Sequence, residues 1–372
     1  MKKVFLVANT DWYLYNFRFS LAKYLRKHGY SVVLVSPDGM YVEKFHEEGF
    51  RWIEWNVGRQ SINPWKEWAV LNQLKEIYRH EKPDIVHHHT IKPVLYGSLA
   101  ARSVGIPRVI NSITGRGYVF GSNEWKARIL RPLVLLLYRK AFGNPNCTVI
   151  FENQEDQQDF IRRGLLPEQR TRLVRSVGVD LDKYSPTPEP NGIPVVIMAS
   201  RMLWDKGVGV FVDAARILKG RVESRMVLVG SPDEGNPSSV SREQLEQWAE
   251  EGVVEWWGWQ DDMAAVYAKS NIYVLPSSYF EGVPTSLIEA GASGRALIAS
   301  DIPGCREVIQ HEREGLLVPP EDADALAGAI IQLVQDPELR ARLATAARAR
   351  VVEGFSSDRV NQETEEIYWL NP

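Results

Sequence analysis

The chain has 372 residues, more than one ordinary core fills, and its 44% hydrophobic and 24% charged residues make a globular composition that excludes extended disorder. Lys plus Arg number 44 against 47 Asp plus Glu, a net charge of -3 that argues against general nucleic-acid binding, because such domains are basic. Two cysteines, Cys147 and Cys305, make no disulfide framework, and no run approaches the roughly 18 apolar residues of a membrane span, so the chain reads as cytoplasmic.

The opening "KKVFLVAN" (2–9) ends at Asn9, Thr10 and Asp11, too short for a signal peptide, and reads as a first strand. Phe17, Leu21, Tyr24 and Leu25 then recur at helical spacing, with Gly29 as a stop, before "YSVVLVS" (30–36) resumes as strand. "DIVHHH" (84–89), "RVINSI" (108–113) and "CTVIFE" (147–152) continue the alternation. Strand periodicity turns His87 and His89 to one face and His88 to the other, which opposes a three-histidine metal site and predicts at least one hydrogen-bonded core histidine.

"SITGRGYVFGS" (112–122) is a loop punctuated by glycines, which permit positive φ or close backbone approach. The segment 123–144 carries Lys126, Arg128, Arg131, Arg139 and Lys140 around an apolar centre. It reads either as a buried crossover helix with charged ends or as a basic surface against an anionic membrane. "DKYSPTPEPNGIP" (182–194), with four prolines, is the expected interdomain linker.

After it the pattern restarts: "VVIMAS" (195–200), "RMVLVG" (225–230), "VVEWWG" (253–258), "NIYVLPS" (271–277), "RALIAS" (295–300) and "GLLVP" (315–319). Alternating strands and helices imply parallel sheets, hence two doubly wound α/β domains in tandem facing a cleft. In "SRMLWDKG", Arg201 and Lys206 precede a helix expected near Gly207; two cations at the positive end of a helix dipole suit a diphosphate, although a solvated basic loop fits as well. In "FEGVPTSLIEA", Gly282 and Pro284 oppose one continuous helix and place its start near Pro284. Glu281 then falls in the loop at the strand's carboxyl end and Glu289 within the helix. "DD" at 261–262 reads as a helix cap rather than a metal site.

"SRMLWDKG", "LVG" (228–230), "FEGVPTSLIEA", "SDIPGCREVI" and "EGLLVPPEDADALAGAI", in this order, resemble the nucleotide-binding domain of family 4 retaining glycosyltransferases, which have the GT-B fold. The resemblance implies that Glu281 contacts the transferred sugar and Glu289 the ribose. Arg201 and Lys206 would bind the diphosphate, and Gly282, Val283 and Thr285 would offer backbone N–H groups. It implies no metal or other cofactor, because two cations stabilise the leaving diphosphate.

"ANTDWYLYNFRFSLA" lacks the Gly-Gly turn of many members and resembles a subgroup that makes bacterial surface polysaccharides and lipid-linked oligosaccharides. That subgroup's patterns make Asn16, Arg18, His89, Thr90, Lys92, Thr114, Gly115 and Gly117 candidates for the acceptor side. A histidine that helps bind the transferred sugar in many relatives has no counterpart in the glycine-rich loop. The domains implied are 1–185 for the acceptor, 186–352 for the nucleotide sugar, and a terminal helix, 353–372, crossing back to the first domain.

The expected activity is retaining transfer of a hexose or N-acetylhexosamine from a nucleotide-diphosphate sugar, UDP by subgroup, to a glycan or lipid-linked acceptor, with peripheral membrane contact through 126–140. A UDP-sugar 2-epimerase of the same fold and a non-catalytic sugar-nucleotide-binding partner are the alternatives.

Overall fold

The computed structural model describes residues 1–58, 63–115, 125–278 and 282–370, with side chains of 125–130 left aside. Two compact units form: Met1–Val177 with Ser357–Pro372, and Gly178–Ser356.

In the first unit the strands are β1 (Lys3–Val7), β2 (Ser31–Ser36), β3 (Arg51–Glu54), β4 (Ile85–His89), β5 (Arg108–Ile113), β6 (Cys147–Phe151) and β7 (Thr171–Leu173). All neighbours pair in parallel, in the order β3-β2-β1-β4-β5-β6-β7. The helices are α1 (Phe19–Lys27), α2 (Val42–Glu47), α3 (Pro64–Glu81), α4 (Ser98–Val104), α5 (Trp125–Phe142) and α6 (Gln154–Arg162). Alternation along the strands divides the core in two. Phe5, Val7, Val86 and Val109 face the residues Val70 and Leu74 of α3, Ala100 and Ala101 of α4, and Phe142 of α5. Val4, Leu6, Ile85 and Ile110 face Leu21 and Leu25 of α1 on the other side. α1 is preceded by a π-turn, Leu14–Arg18, and Gly29 follows it at φ 84.

The second unit repeats the plan with β8 (Val195–Ala199), β9 (Arg225–Val229), β10 (Glu255–Trp256), β11 (Ile272–Leu275), β12 (Ala296–Ser300) and β13 (Leu316–Val318), in the parallel order β10-β9-β8-β11-β12-β13. Its helices are α7 (Val208–Leu218), α8 (Arg242–Glu250), α9 (Met263–Ala268), α10 (Thr285–Ala292), α11 (Pro303–Val308), α12 (Ala323–Gln335) and α13 (Pro337–Gly354). Helix α14 (Ser357–Trp369) then leaves this unit and packs on α1, burying Val360, Ile367 and Tyr368 in the first.

The proline-rich 182–194 segment belongs to the second unit. Buried Arg295 donates to the Thr187 and Ser270 carbonyls, Arg348 to the Tyr184 carbonyl, and Arg340 pairs with Glu189 at 2.8 Å. Strands β3 and β7 escape sequence reading because both are short edge strands with charged or partly exposed positions, a pattern weaker than that of the buried central strands. Among the described residues no helix is long and apolar enough to cross a membrane.

Candidate active site

In each sheet the chain order reverses once, between β1 and β4 and between β8 and β11. Open α/β sheets bind ligands beyond the carboxyl ends of the strands at such a switch point.

In the second unit the two loops at that point are joined. Arg201 follows β8, a short 3-10 turn over Trp204–Lys206 comes next, and Gly207 at φ 83 opens α7. A Cβ on Gly207 would collide with the Pro276 carbonyl oxygen of the loop after β11, so only glycine serves both this backbone angle and this approach. The Ser278 N–H donates to the Asp205 carbonyl across 3.1 Å and the Ser277 hydroxyl across 3.2 Å. These bonds fix the start of the glutamate loop against the Arg201–Lys206 loop. Glu281 itself lies outside the described residues.

Arg201 is exposed and donates to Asp233 Oδ2 across 2.6 Å. Asp233 stands in the loop after β9, which is zipped onto the Arg201 loop. Met202 N–H donates to the Ser231 carbonyl, Val240 N–H to the Met202 carbonyl and Trp204 N–H to the Ser238 carbonyl. Lys206 closes the 3-10 turn half-buried. Gly230, at φ 134, sits where a Cβ would strike the Ser200 carbonyl, which accounts for the "LVG" ending of that strand.

Helix α10 starts at Thr285 directly after Pro284; Gly282, Val283 and Pro284 are buried at its entry. The first N–H groups of any helix lack intrahelical acceptors, which leaves donors at this end. Glu289, one turn in, accepts the Tyr267 hydroxyl at Oε2 across 3.1 Å and is also bonded by Tyr184. Burial pushes its carboxyl up to about 7 against the lowering effect of the two hydroxyls. Burial, with Glu289 alongside, pushes the Tyr267 phenol up as well.

In the first unit, Asn16 is exposed and donates to the Trp12 carbonyl across 2.9 Å, while Arg18 is buried with Nη2 donating to the Tyr13 hydroxyl across 3.1 Å. His87 lies between the Tyr368 hydroxyl (2.8 Å) and Ser112 Oγ (2.7 Å), and His88 between Tyr78 and Asn111 on the opposite face. The alternation expected for the three histidines holds, and among the described residues no metal-binding cluster forms. His89 is buried against the Tyr13 ring. Thr90 adopts φ 70, a strained angle for a β-branched residue. Lys92 is tied to Glu67 at 3.0 Å and to the Gly58 carbonyl at 2.7 Å. Thr114 and Gly115, at φ 130, follow β5; Gly117 lies outside the described residues. Asp262 caps α9 through Ala265 N–H, as read from sequence.

The family described as "Glycosyl transferase 4-like" matches residues 3–143, and that described as "Glycosyl transferases group 1" matches 193–336. A Campylobacter jejuni protein, N,N'-diacetylbacillosaminyl-diphospho-undecaprenol alpha-1,3-N-acetylgalactosaminyltransferase, is 31% identical over 347 residues, 90% of either chain. The chain belongs to the family 4 glycosyltransferases.

This glycosyltransferase is also 25% identical over 327 residues to the Escherichia coli UDP-Gal:alpha-D-GlcNAc-diphosphoundecaprenol alpha-1,3-galactosyltransferase, covering 83% of this chain and 81% of that one. Sucrose-phosphate synthase from Thermosynechococcus elongatus superposes with a TM-score of 0.81 at 22% identity, covering 99% of this chain and 98% of that one. Anabaena HepE in complex with UDP and glucose gives 0.79 at 19%, covering 99% of each chain. Both share the two-domain GT-B fold with this enzyme. Sequence reading missed Asp233, Tyr184 and Tyr267; only the "LVG" ending hinted that the loop after β9 comes close to Arg201.

Proposed function

We propose that the enzyme transfers a hexose or N-acetylhexosamine, with retention, from a UDP-sugar to a lipid-linked glycan in surface polysaccharide assembly. The observation that carries this reading is the junction of the Arg201–Lys206 loop with the start of the glutamate loop through the Asp205 carbonyl. It supports a donor site in which the central diphosphate of the nucleotide sugar meets cations and one carboxylate addresses each end, the sugar and the ribose.

On this reading Arg201 and Lys206 hold the diphosphate and stabilise its developing charge as the anomeric bond breaks, without a metal. Glu289 accepts ribose hydroxyls, Glu281 contacts the sugar, and N–H groups of Gly282, Val283 and Thr285 supplement them. The first unit binds the acceptor with Asn16, Arg18, His89, Thr90, Thr114, Gly115 and Gly117, while Lys92 braces the start of α3. The two relatives are named for diphosphoundecaprenol-linked acceptors, which supports a lipid-linked acceptor here. Such an acceptor brings the enzyme to the inner face of the cytoplasmic membrane, with contact through residues 126–140.

Thermal unfolding across UDP, GDP, ADP and TDP and their sugars tests the donor, since a ligand of the folded state raises the melting temperature. UDP-sugars should raise it selectively, and Arg201→Ala should abolish the shift. Glu281→Gln should lower turnover with nucleotide binding nearly kept, and Glu289→Ala should weaken nucleotide binding. Full turnover and affinity in both variants would overturn the assignment.

A further inference from the structure

A cation taken out of water is costly unless an opposite charge or a full set of hydrogen bonds surrounds it. Arg18, at the end of the π-turn after β1, is 5% exposed. Its Nη2 donates to the Tyr13 hydroxyl across 3.1 Å. Among the described residues its Nε has no hydrogen-bond partner and no carboxylate forms an ion pair with the guanidinium. Arg18 instead borders a small cavity in the first unit, lined also by Ser112 of β5, Glu152 just past β6, Ser176 past β7 and Thr364 of α14.

All five of these residues are at least nine-tenths buried. Ser176 holds φ 75, an angle that a residue with a Cβ rarely adopts, and among the described residues its Oγ is also without a partner. Ser112 Oγ bonds His87 Nε2 at 2.7 Å and Thr364 Oγ1 donates to the Val360 carbonyl across 2.8 Å, so each hydroxyl keeps further hydrogen-bonding capacity. The cavity leaves about 10 Å3 for the centre of a water molecule, enough for one and too little for a phosphate or a sugar ring. Its lining combines the donors of a cation with the acceptors of a carboxylate, which suits a group that both donates and accepts. Water is such a group, and it fits.

We propose that one ordered water joins Arg18 Nε, Ser176 Oγ and the Glu152 carboxylate in this cavity, and that Glu152, Ser176 and Thr364 are thereby positioning residues for the acceptor side. The water-bridged ion pair fixes Arg18, and Arg18 fixes the Tyr13 hydroxyl. Tyr13 in turn stands beside Thr114 and against His89, with ring centroids 5.9 Å apart. Through Thr364 the terminal helix α14 enters the same node. The positioning role rests on the acceptor residues of the preceding reading; the water bridge does not.

A high-resolution crystal structure of the full chain tests the bridge: it should show one water within hydrogen-bond distance of Arg18 Nε and Ser176 Oγ. A cavity without density, or Arg18 in direct contact with Glu152, would overturn it. Thermal unfolding of Arg18→Met, Glu152→Gln and the double variant reads the coupling. Each single change should lower the melting temperature, and the double change should lower it by less than the sum; additive shifts count against the bridge. Transfer onto a polyprenyl-diphosphate-linked N-acetylhexosamine reads the positioning. Thr364→Val, which keeps the shape and loses the hydroxyl, should raise the acceptor KM by about three- to tenfold, the scale of one hydrogen bond. The donor KM and the stabilisation by UDP should be unchanged, and Thr364→Ser should restore the acceptor KM. No loss, or equal loss for donor and acceptor, would refute the positioning role. A wild type that transfers to no such acceptor while UDP still stabilises it sinks the acceptor reading and the positioning role with it, and leaves the donor reading standing.

Discussion

The Tyr267 hydroxyl donates to Glu289 Oε2 across 3.1 Å, bringing α9 against the first turns of α10. A carboxylate held by two phenols in a desolvated position stays charged with difficulty, and its titration near about 7 makes it sensitive to pH in the neutral range.

For Glu289 the folded-state pKa is above the unfolded value, so the folded form binds more protons between pH 4.5 and about 7, and stability from this group falls as pH rises through that window. Relative to wild type, Glu289→Gln should gain stability at pH 8 over pH 5, on the order of 2 kcal/mol. Nucleotide affinity should move the other way. The ionised carboxylate is the better acceptor of ribose hydroxyls, so UDP affinity should rise between pH 6 and 8 more steeply in the wild type than in the Gln variant. Calorimetry on both proteins reads both effects; parallel profiles would refute the role.

Gly207 is held at φ 83 against the Pro276 carbonyl. Gly207→Ala should cost roughly 2–4 kcal/mol, through strain and displacement of one loop from the other. The same substitution should remove stabilisation by UDP beyond what the lower melting temperature explains. Gly220, at φ 79 with open space around it, is the control, since Gly220→Ala meets no atom within 4 Å and should leave nucleotide binding intact.

Asp233 aims the Arg201 guanidinium from 2.6 Å. The pair is partly exposed and contributes little to stability. Arg201→Ala should therefore leave the melting temperature nearly unchanged while lowering turnover by about 10²–10³-fold, the scale of one lost transition-state donor. Asp233→Asn, which keeps a hydrogen-bond acceptor and loses the charge, should produce a smaller loss. Steady-state kinetics with saturating acceptor separates the two variants.

The buried histidines titrate with the opposite sign to Glu289. Burial holds His87 and His89 well below the usual range and His88 down to about 4. A base with a depressed folded pKa contributes stability above its unfolded pKa near 6.5 and loses it as pH falls toward the folded value. His88→Gln should flatten the acid limb of the stability curve by about 1.4 kcal/mol per pH unit between pH 6 and 5. Tyr368→Phe should cost about 1–3 kcal/mol, because it removes a buried hydrogen-bond partner of His87.

Much of the fold was legible because it is written locally. Central strands such as β8 ("VVIMA") and β4 ("IVHHH") are short runs buried at every position, the first of them wholly apolar, and the division of His87 and His89 from His88 follows from strand periodicity alone. Edge strands β3 and β7 were not legible, since one face of such a strand is wet and its pattern is diluted. The packing of the 182–194 segment was equally hidden. Its prolines announce irregular backbone, but the arginines that hold it come from 295, 340 and 348, and nothing near the segment names them.

By itself the sequence determined the α/β class, the two-unit plan, the family, the placement of Arg201 and Lys206 in a loop beside a strand end, and that of Glu289 within the helix that begins after Pro284, because periodicity and short motifs depend only on neighbours along the chain. Tertiary structure alone decided which distant groups surround them. Asp233 reaches Arg201 from 32 residues away, Tyr267 reaches Glu289 from 22, and Tyr368 reaches His87 from 281. Charge, tautomer and acidity in a site depend on distance and desolvation, and both arise only when the sheets have formed and the loops at their carboxyl ends have met.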